Sequence, residues 1–173
     1  KKKSFNQLIS NIDILPTLLD FAKIKIPKTI QGKSFYPLIL NKDYKENKEI
    51  FAEKTYQEGF DPIRCVRDNE YKLIINFDSD KSIRVPADTM KGGTYQTMID
   101  KLVNARDHFE LYNIKLDKFE NNNLAYDEKF KTIKDKLTKK IKQWMILTKD
   151  PLYTHDVRSP FFLDTLKKLK SLN

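Results

Sequence analysis

A chain of 173 residues can bury roughly 70% of the surface its unfolded form exposes, enough for one core, so one domain or one domain plus part of another is expected. With 39% hydrophobic and 12% aromatic residues it is too apolar to be disordered, while 33% charged residues imply a heavily solvated surface. No apolar run approaches the ~18 residues needed to cross a bilayer, so no membrane span is expected, and the net charge of +9 invites a polyanion without choosing one.

The charge excess is mostly lysine spread along the chain. There is no arginine cluster, no Gly-rich RNA-binding motif and no helix-turn-helix pattern, so no nucleic-acid partner is expected. An acidic saccharide suits the charge equally well. The chain opens Lys1-Lys2-Lys3-Ser4-Phe5 with neither Met nor an apolar signal stretch, and is expected to be a piece of a longer protein. One cysteine, Cys65, excludes an intrachain disulfide, and His108 and His155 are too scattered for a zinc site by spacing.

In chain order, Ile14, Leu15, Leu18, Leu19 and Ala22 fall at helical spacing. Pro16 fits only in a first turn, so the helix should start near Asn11–Asp13, capped there or by Ser10, and stop before Lys25-Ile26-Pro27. Gln31-Gly32-Lys33-Ser34 reads as a turn and new cap, Phe35–Leu40 as a short apolar segment, and Asn41–Lys48 as a surface linker and domain boundary. Phe51–Tyr56 alternates with period two and reads as a strand. Glu58-Gly59-Phe60-Asp61-Pro62 is turn chemistry, followed by strands over Ile63–Arg67 and Tyr71–Phe77 about the polar Asp68-Asn69-Glu70. Cys65 lies inside the second of these strands, where a small buried hydrophobe is the ordinary reading.

Asp78–Gly93 reads as loop, Thr94–Val103 as a short helix and Phe109–Ile114 as the last strand. From Asp127 to Thr148, Phe130, Ile133, Leu137, Ile141, Trp144 and Met145 recur at three- and four-residue steps, an amphipathic helix that Asp150-Pro151 ends. A basic amphipathic helix can lie on a membrane, but a stripe this regular suits packing on the sheet. Thr154–Pro160 reads as loop and Phe161–Leu172 as a short terminal helix. The fold class is α+β: a small antiparallel sheet of about four strands packed by a long C-terminal helix and preceded by a helical segment.

These motifs resemble, in order, those of the type I sulfatases of the alkaline-phosphatase superfamily. Asn11-Ile12-Asp13-Ile14-Leu15-Pro16-Thr17-Leu18-Leu19 is similar to their "vDilPTll" helix, and Gln31-Gly32-Lys33-Ser34-Phe35 to their "GkSl.pll" segment. Phe51–Tyr56, Asp61–Arg67 and Tyr71-Lys72-Leu73-Ile74 resemble the stretch leading to "R.vr...yKli.N", and Glu110-Leu111-Tyr112-Asn113 with Asn123-Leu124-Ala125 the "eLYDl..Dp.E..Nla" signature. The helix ending in Trp144, then Thr148-Lys149-Asp150-Pro151, resembles in particular the N-sulfoglucosamine sulfohydrolases, or heparan N-sulfatases. Residues 8 to 152 are covered.

The resemblance implies that residues 1–45 close the sulfatase catalytic α/β domain and that 46–173 form its C-terminal α+β subdomain. The whole enzyme would remove sulfate from sulfated glycans, the N-sulfate of glucosamine in heparan sulfate or heparin in particular, with a periplasmic, secreted or lysosomal-like location; the alternative is a non-enzymatic basic module that binds acidic glycans. Its formylglycine, made from Cys or Ser in C/S-x-P/A-x-R, and its divalent cation, usually Ca²⁺, would lie upstream, so this chain alone would be inert and its partners would be that domain and the glycan. Cys65 is followed by Val-Arg-Asp-Asn and departs from the motif at the Pro/Ala and Arg positions. No catalytic residue, cofactor or metal ligand is expected here. The family's C-terminal subdomain lines one side of the substrate pocket, which makes Glu53, Tyr56, Gln57, Arg64 and His155 candidate substrate-binding residues. Glu53 and Gln57 would bind sugar hydroxyls and Arg64 an anionic group. Bacterial relatives often carry His at the position of Gln57, which leaves the substrate open. A cross-strand salt bridge accounts for Glu53 and Arg64 equally well, sheet-edge placement and turn capping for Tyr56 and Asp61, and a solvated loop for His155. If the catalytic domain is the partner, the apolar face of helix 13–22 should be bare in isolation.

Overall fold

The structure is a computed structural model that describes residues 4–57, 59–77, 86–102 and 106–154, with the backbone alone for 99–102. A 3-10 turn, Asn11–Asp13, leads into α1 (Ile14–Phe21), and α2 is Tyr36–Ile39. Then come β1 (Ile50–Tyr56), β2 (Phe60–Arg67) and β3 (Tyr71–Asn76), the helices α3 (Ala87–Met90) and α4 (Gly93–Leu102), and β4 (Phe109–Asn113). A second 3-10 turn, Glu128–Phe130, opens α5 (Lys131–Leu147), and α6 is Pro151–Thr154.

The four strands form one antiparallel meander in the order β1-β2-β3-β4. Val66, Leu73, Ile75 and Leu111 lie on one face, and α5 lays Leu137, Ile141 and Met145 on it, with Ala125 completing the core. Phe51 and Trp144 stack at 5.1 Å, nearly parallel, at the β1 side of that seam. At the α5 entry, the Asp127 carboxylate accepts the Lys129 N–H, capping the first turn. The α+β architecture expected from the residues is the one observed.

Several boundaries differ. Phe60-Asp61-Pro62, expected as turn, belongs to β2, because the register slips between Lys54 and Tyr56 and leaves one extra residue on β2. A bulge is where an interior strand tolerates proline, which has no N–H to give the ladder. Part of the expected 78–93 loop is helical, as the four-residue α3. Such a helix buries no apolar stripe and so leaves no periodic signal. Thr154, expected to open a loop, closes α6, and the expected helix over 161–172 lies outside the described residues.

The N-terminal segment is built the other way round from the α5 unit. The Asp13 carboxylate, 3% exposed, accepts the N–H groups of Ser10 (2.9 Å) and Lys33 (2.8 Å) and the Asn47 amide (3.3 Å). Thr17 donates to the Asp13 carbonyl at 2.6 Å and accepts the Phe35 N–H at 3.0 Å, and Ser34 donates to Asp20 at 2.6 Å. Gly32 is required by a close approach: a Cβ there would sit 1.9 Å from the Ile12 carbonyl oxygen. With its polar side thus tied down, α1 turns Ile14, Leu15, Leu18 and Phe21 outward, each about half exposed or more. Beyond Ala22 the chain turns away at Lys23, which adopts a left-handed φ of 58°.

Candidate functional site

β1 and β2 bring Glu53 and Arg64 face to face as register partners. Arg64 is 1% exposed, and each of its five N–H groups has a partner within the chain. Nε donates to Asp150 Oδ2 (2.5 Å) and Nη2 to Asp150 Oδ1 (3.0 Å), a bidentate pair with the residue that follows α5. Nη1 donates to the carbonyls of Lys54 and Ile63, and Nη2 to Thr55 Oγ1. The guanidinium is therefore a tie between the sheet and the end of α5, with no donor left for an incoming anion. Asp150 is also buried. Burial would raise its carboxyl, but the bonds from Arg64 and from the Leu152 N–H hold it below the usual carboxylate range.

Glu53 remains available. Its side chain is 59% exposed although Arg64 Nε lies 3.5 Å away. It borders a groove of about 580 Å³ between the N-terminal segment and the edge strand β1. Lys33, Asn47, Glu49 and Trp144 are also at its walls, a volume and a polar-aromatic lining suited to a small saccharide. Farther along β1, Tyr56 is half exposed and Gln57 exposed, with the Gln57 N–H bonded to the Gly59 carbonyl at 3.0 Å. Three or four residues of strand rise separate them from Glu53 by roughly 10–13 Å. The structure thus joins Glu53 to Arg64 and sets Tyr56 and Gln57 at the far end of the same strand. His155 lies outside the described residues.

Beside Tyr56, Asp61 is 3% exposed and paired with Lys54 and Arg106. Burial pushes its carboxyl up, and the hydrogen bonds from Arg106 and Lys54 bring it down, for a net lowering. Read as a turn cap in the sequence, it is the centre of a charged cluster. Neither Arg106 nor Asp150 carries a local signal of its partner, since they lie 45 residues from Asp61 and 86 from Arg64.

Cys65 does not fit a formylglycine site, because Arg67 and Asn69 stand where that motif has Pro/Ala and Arg. Burial raises the Cys65 thiol to about 11, which leaves it a poor nucleophile. Among the described residues no group of three His, Cys, Asp or Glu side chains converges as a metal ligand set.

Residues 1–86 match the family described as "N-sulphoglucosamine sulphohydrolase, C-terminal". The chain is 34% identical over 145 residues to an ulvan-active sulfatase of Formosa agariphila, an alignment covering 81% of this chain and 29% of that protein. Its fold is shared with a 2-O GAG sulfatase (TM-score 0.68, 24% identity, 92% of this chain and 30% of the other). It is also shared with a protein solved with its substrate D-glucosamine-2-N,6-O-disulfate (TM-score 0.56, 21% identity, 80% and 24%). The chain thus spans under a third of the length of each of these three.

Proposed function

Because the chain belongs to the sulfatase superfamily and is related to the N-sulphoglucosamine sulphohydrolases, we propose that it serves as the C-terminal part of an enzyme that removes sulfate from sulfated glycans, the N-sulfate of glucosamine in particular. The observation that carries this reading is the inverted α1. Its polar side is fastened to Lys33, Phe35 and Asn47, and its apolar side, with Ile14, Leu15, Leu18 and Phe21, is bare. Burying such a face is worth about 25 cal/mol per Å², so a helix of this layout is stable against a partner surface rather than against water. Residues 1–45 in this reading complete the catalytic α/β domain, and 46–173 are the subdomain beside it.

Within that arrangement Glu53 and Gln57 accept and donate to sugar hydroxyls, and Tyr56 offers a ring for a sugar face. Arg64 acts through position: its bonds to Lys54 O, Thr55 Oγ1 and Asp150 fix the strand that presents these side chains. His155 is the remaining candidate. The nucleophile and cation belong to the domain that α1 meets, and the 173 residues alone release no sulfate.

The test uses the longer gene product containing these residues, assayed for sulfate release from an N-sulfated glucosamine disaccharide. Glu53→Gln should raise KM about tenfold with kcat nearly unchanged, as for loss of a charged hydrogen bond to bound substrate. An unchanged KM in both Glu53→Gln and Gln57→Ala would defeat the pocket assignment.

A further inference from the structure

α5 carries six lysines and one acid, Asp135, in 17 residues. Two of the lysines are engaged: Lys134 Nζ donates to the Ala125 carbonyl, and Lys140 pairs with Glu49 at 2.6 Å. Lys131 sits 3.9 Å from Glu128, both well exposed. Lys136, Lys139 and Lys142 are exposed, and among the described residues no acid forms an ion pair with them. At about 100° per residue, Lys139 points directly away from the Leu137-Ile141-Met145 stripe, with Thr132, Lys136, Gln143, Asp135 and Lys142 to either side. Thr132, Lys136, Lys139, Lys140 and Gln143, with the single acid Asp135, line a shallow depression of about 460 Å³ on this face. Like charges at three- and four-residue steps repel, so a face meant only for solvation would alternate signs.

We propose that this solvent face of α5 is a docking surface for a sulfated polysaccharide, with Lys136, Lys139 and Lys142 facing sulfates and Thr132 and Gln143 hydroxyls. Charge complementarity selects a polyanion, and the residues select among polyanions. Among the described residues the face presents no aromatic ring, on which single-stranded nucleic acid would stack its bases. An interfacial helix would insert its apolar side into a membrane, and that side of α5 is already covered by the sheet. The preference for a glycan rests in part on the sulfatase reading above. The surface itself is tested without catalysis, so its failure leaves the Glu53 experiment intact.

The experiment measures binding of the chain to fluorescently labelled heparin at 0.15 M NaCl. Exposed charge pairs are individually weak, so the triple variant Lys136→Gln, Lys139→Gln, Lys142→Gln should lose about tenfold in affinity. The charge-matched control Lys25→Gln, Lys28→Gln, Lys42→Gln should lose less than twofold. Glutamine is as good a helix former as lysine, so both should keep the wild-type circular dichroism; should the triple not fold, Lys139→Gln alone should lose about threefold. Equal losses in the two triples, or none in the first, would overturn the proposal. So would tighter binding to a single-stranded oligonucleotide of equal charge, or to anionic phospholipid vesicles, than to heparin.

Discussion

Asp150→Asn keeps the shape of the side chain that closes the Arg64 site and removes its charge. The guanidinium then stays in a site where it is 1% exposed, without its bidentate acceptor. Breaking a buried pair from one side costs about 3–5 kcal/mol. Glu53 stands 3.5 Å from Arg64 Nε but is 59% exposed and screened, and offsets only part of that, which puts the expected loss near 3 kcal/mol. For a chain of this size that corresponds to a fall of roughly 6–12 °C in Tm. Urea unfolding followed by the fluorescence of Trp144, the only tryptophan, reads the relevant seam, since its ring stacks on Phe51. Replacing both partners, Arg64→Met with Asp150→Leu, should cost much less than Asp150→Asn, because no charge is left unpaired. A loss below about 1 kcal/mol for Asp150→Asn, or a double variant as damaged as the single, would refute the view that this pair ties α5 to the sheet.

The same carboxyls govern acid stability. Asp61 and Asp150 both have folded values below their unfolded ones, so the unfolded chain binds more protons in acid. Their contribution is fully present above the unfolded value of about 3.9 and is lost as pH falls through the lower folded values; Asp61→Asn should flatten the urea-midpoint profile in that window. Gly32→Ala should force the 31–33 backbone off Ile12, at a cost of about 1–3 kcal/mol to the N-terminal segment. Hydrogen exchange should then quicken over residues 11–20 while β2 and β3 stay protected. Leu15→Glu with Leu18→Glu should change the stability of the chain alone by less than about 0.5 kcal/mol, since both side chains are exposed, yet abolish soluble expression or activity of the longer gene product.

Much of this was readable in the residues because the signals are local. Alternation over Phe51–Tyr56 fixes an element, though its burial does not alternate along the strand, and the stripe from Phe130 to Met145 fixes both an element and its buried face within one stretch of chain. Pro16 placed the start of α1, and the outward Ile14, Leu15 and Leu18 follow from polar partners at Lys33 and Asn47 that no periodicity reveals. The β2 boundary was misplaced because Asp61-Pro62 is turn chemistry in sequence and a bulge in context, with Lys54 and Arg106 supplying the charge that lets Asp61 be buried. Arg64 is the clearest case of information held at a distance. Locally it is an arginine opposite Glu53, suited to an anion; only Asp150, 86 residues on, turns it into a structural tie.

Sulfate release from an N-sulfated glucosamine disaccharide, measured side by side for the 173-residue chain and for a longer product that contains it, tests most directly the proposal that this chain works beside a separate catalytic domain. Release by the longer product and none by the chain is the predicted result. Turnover by the purified 173 residues, or none by a folded longer product on any sulfated glycan, would contradict it.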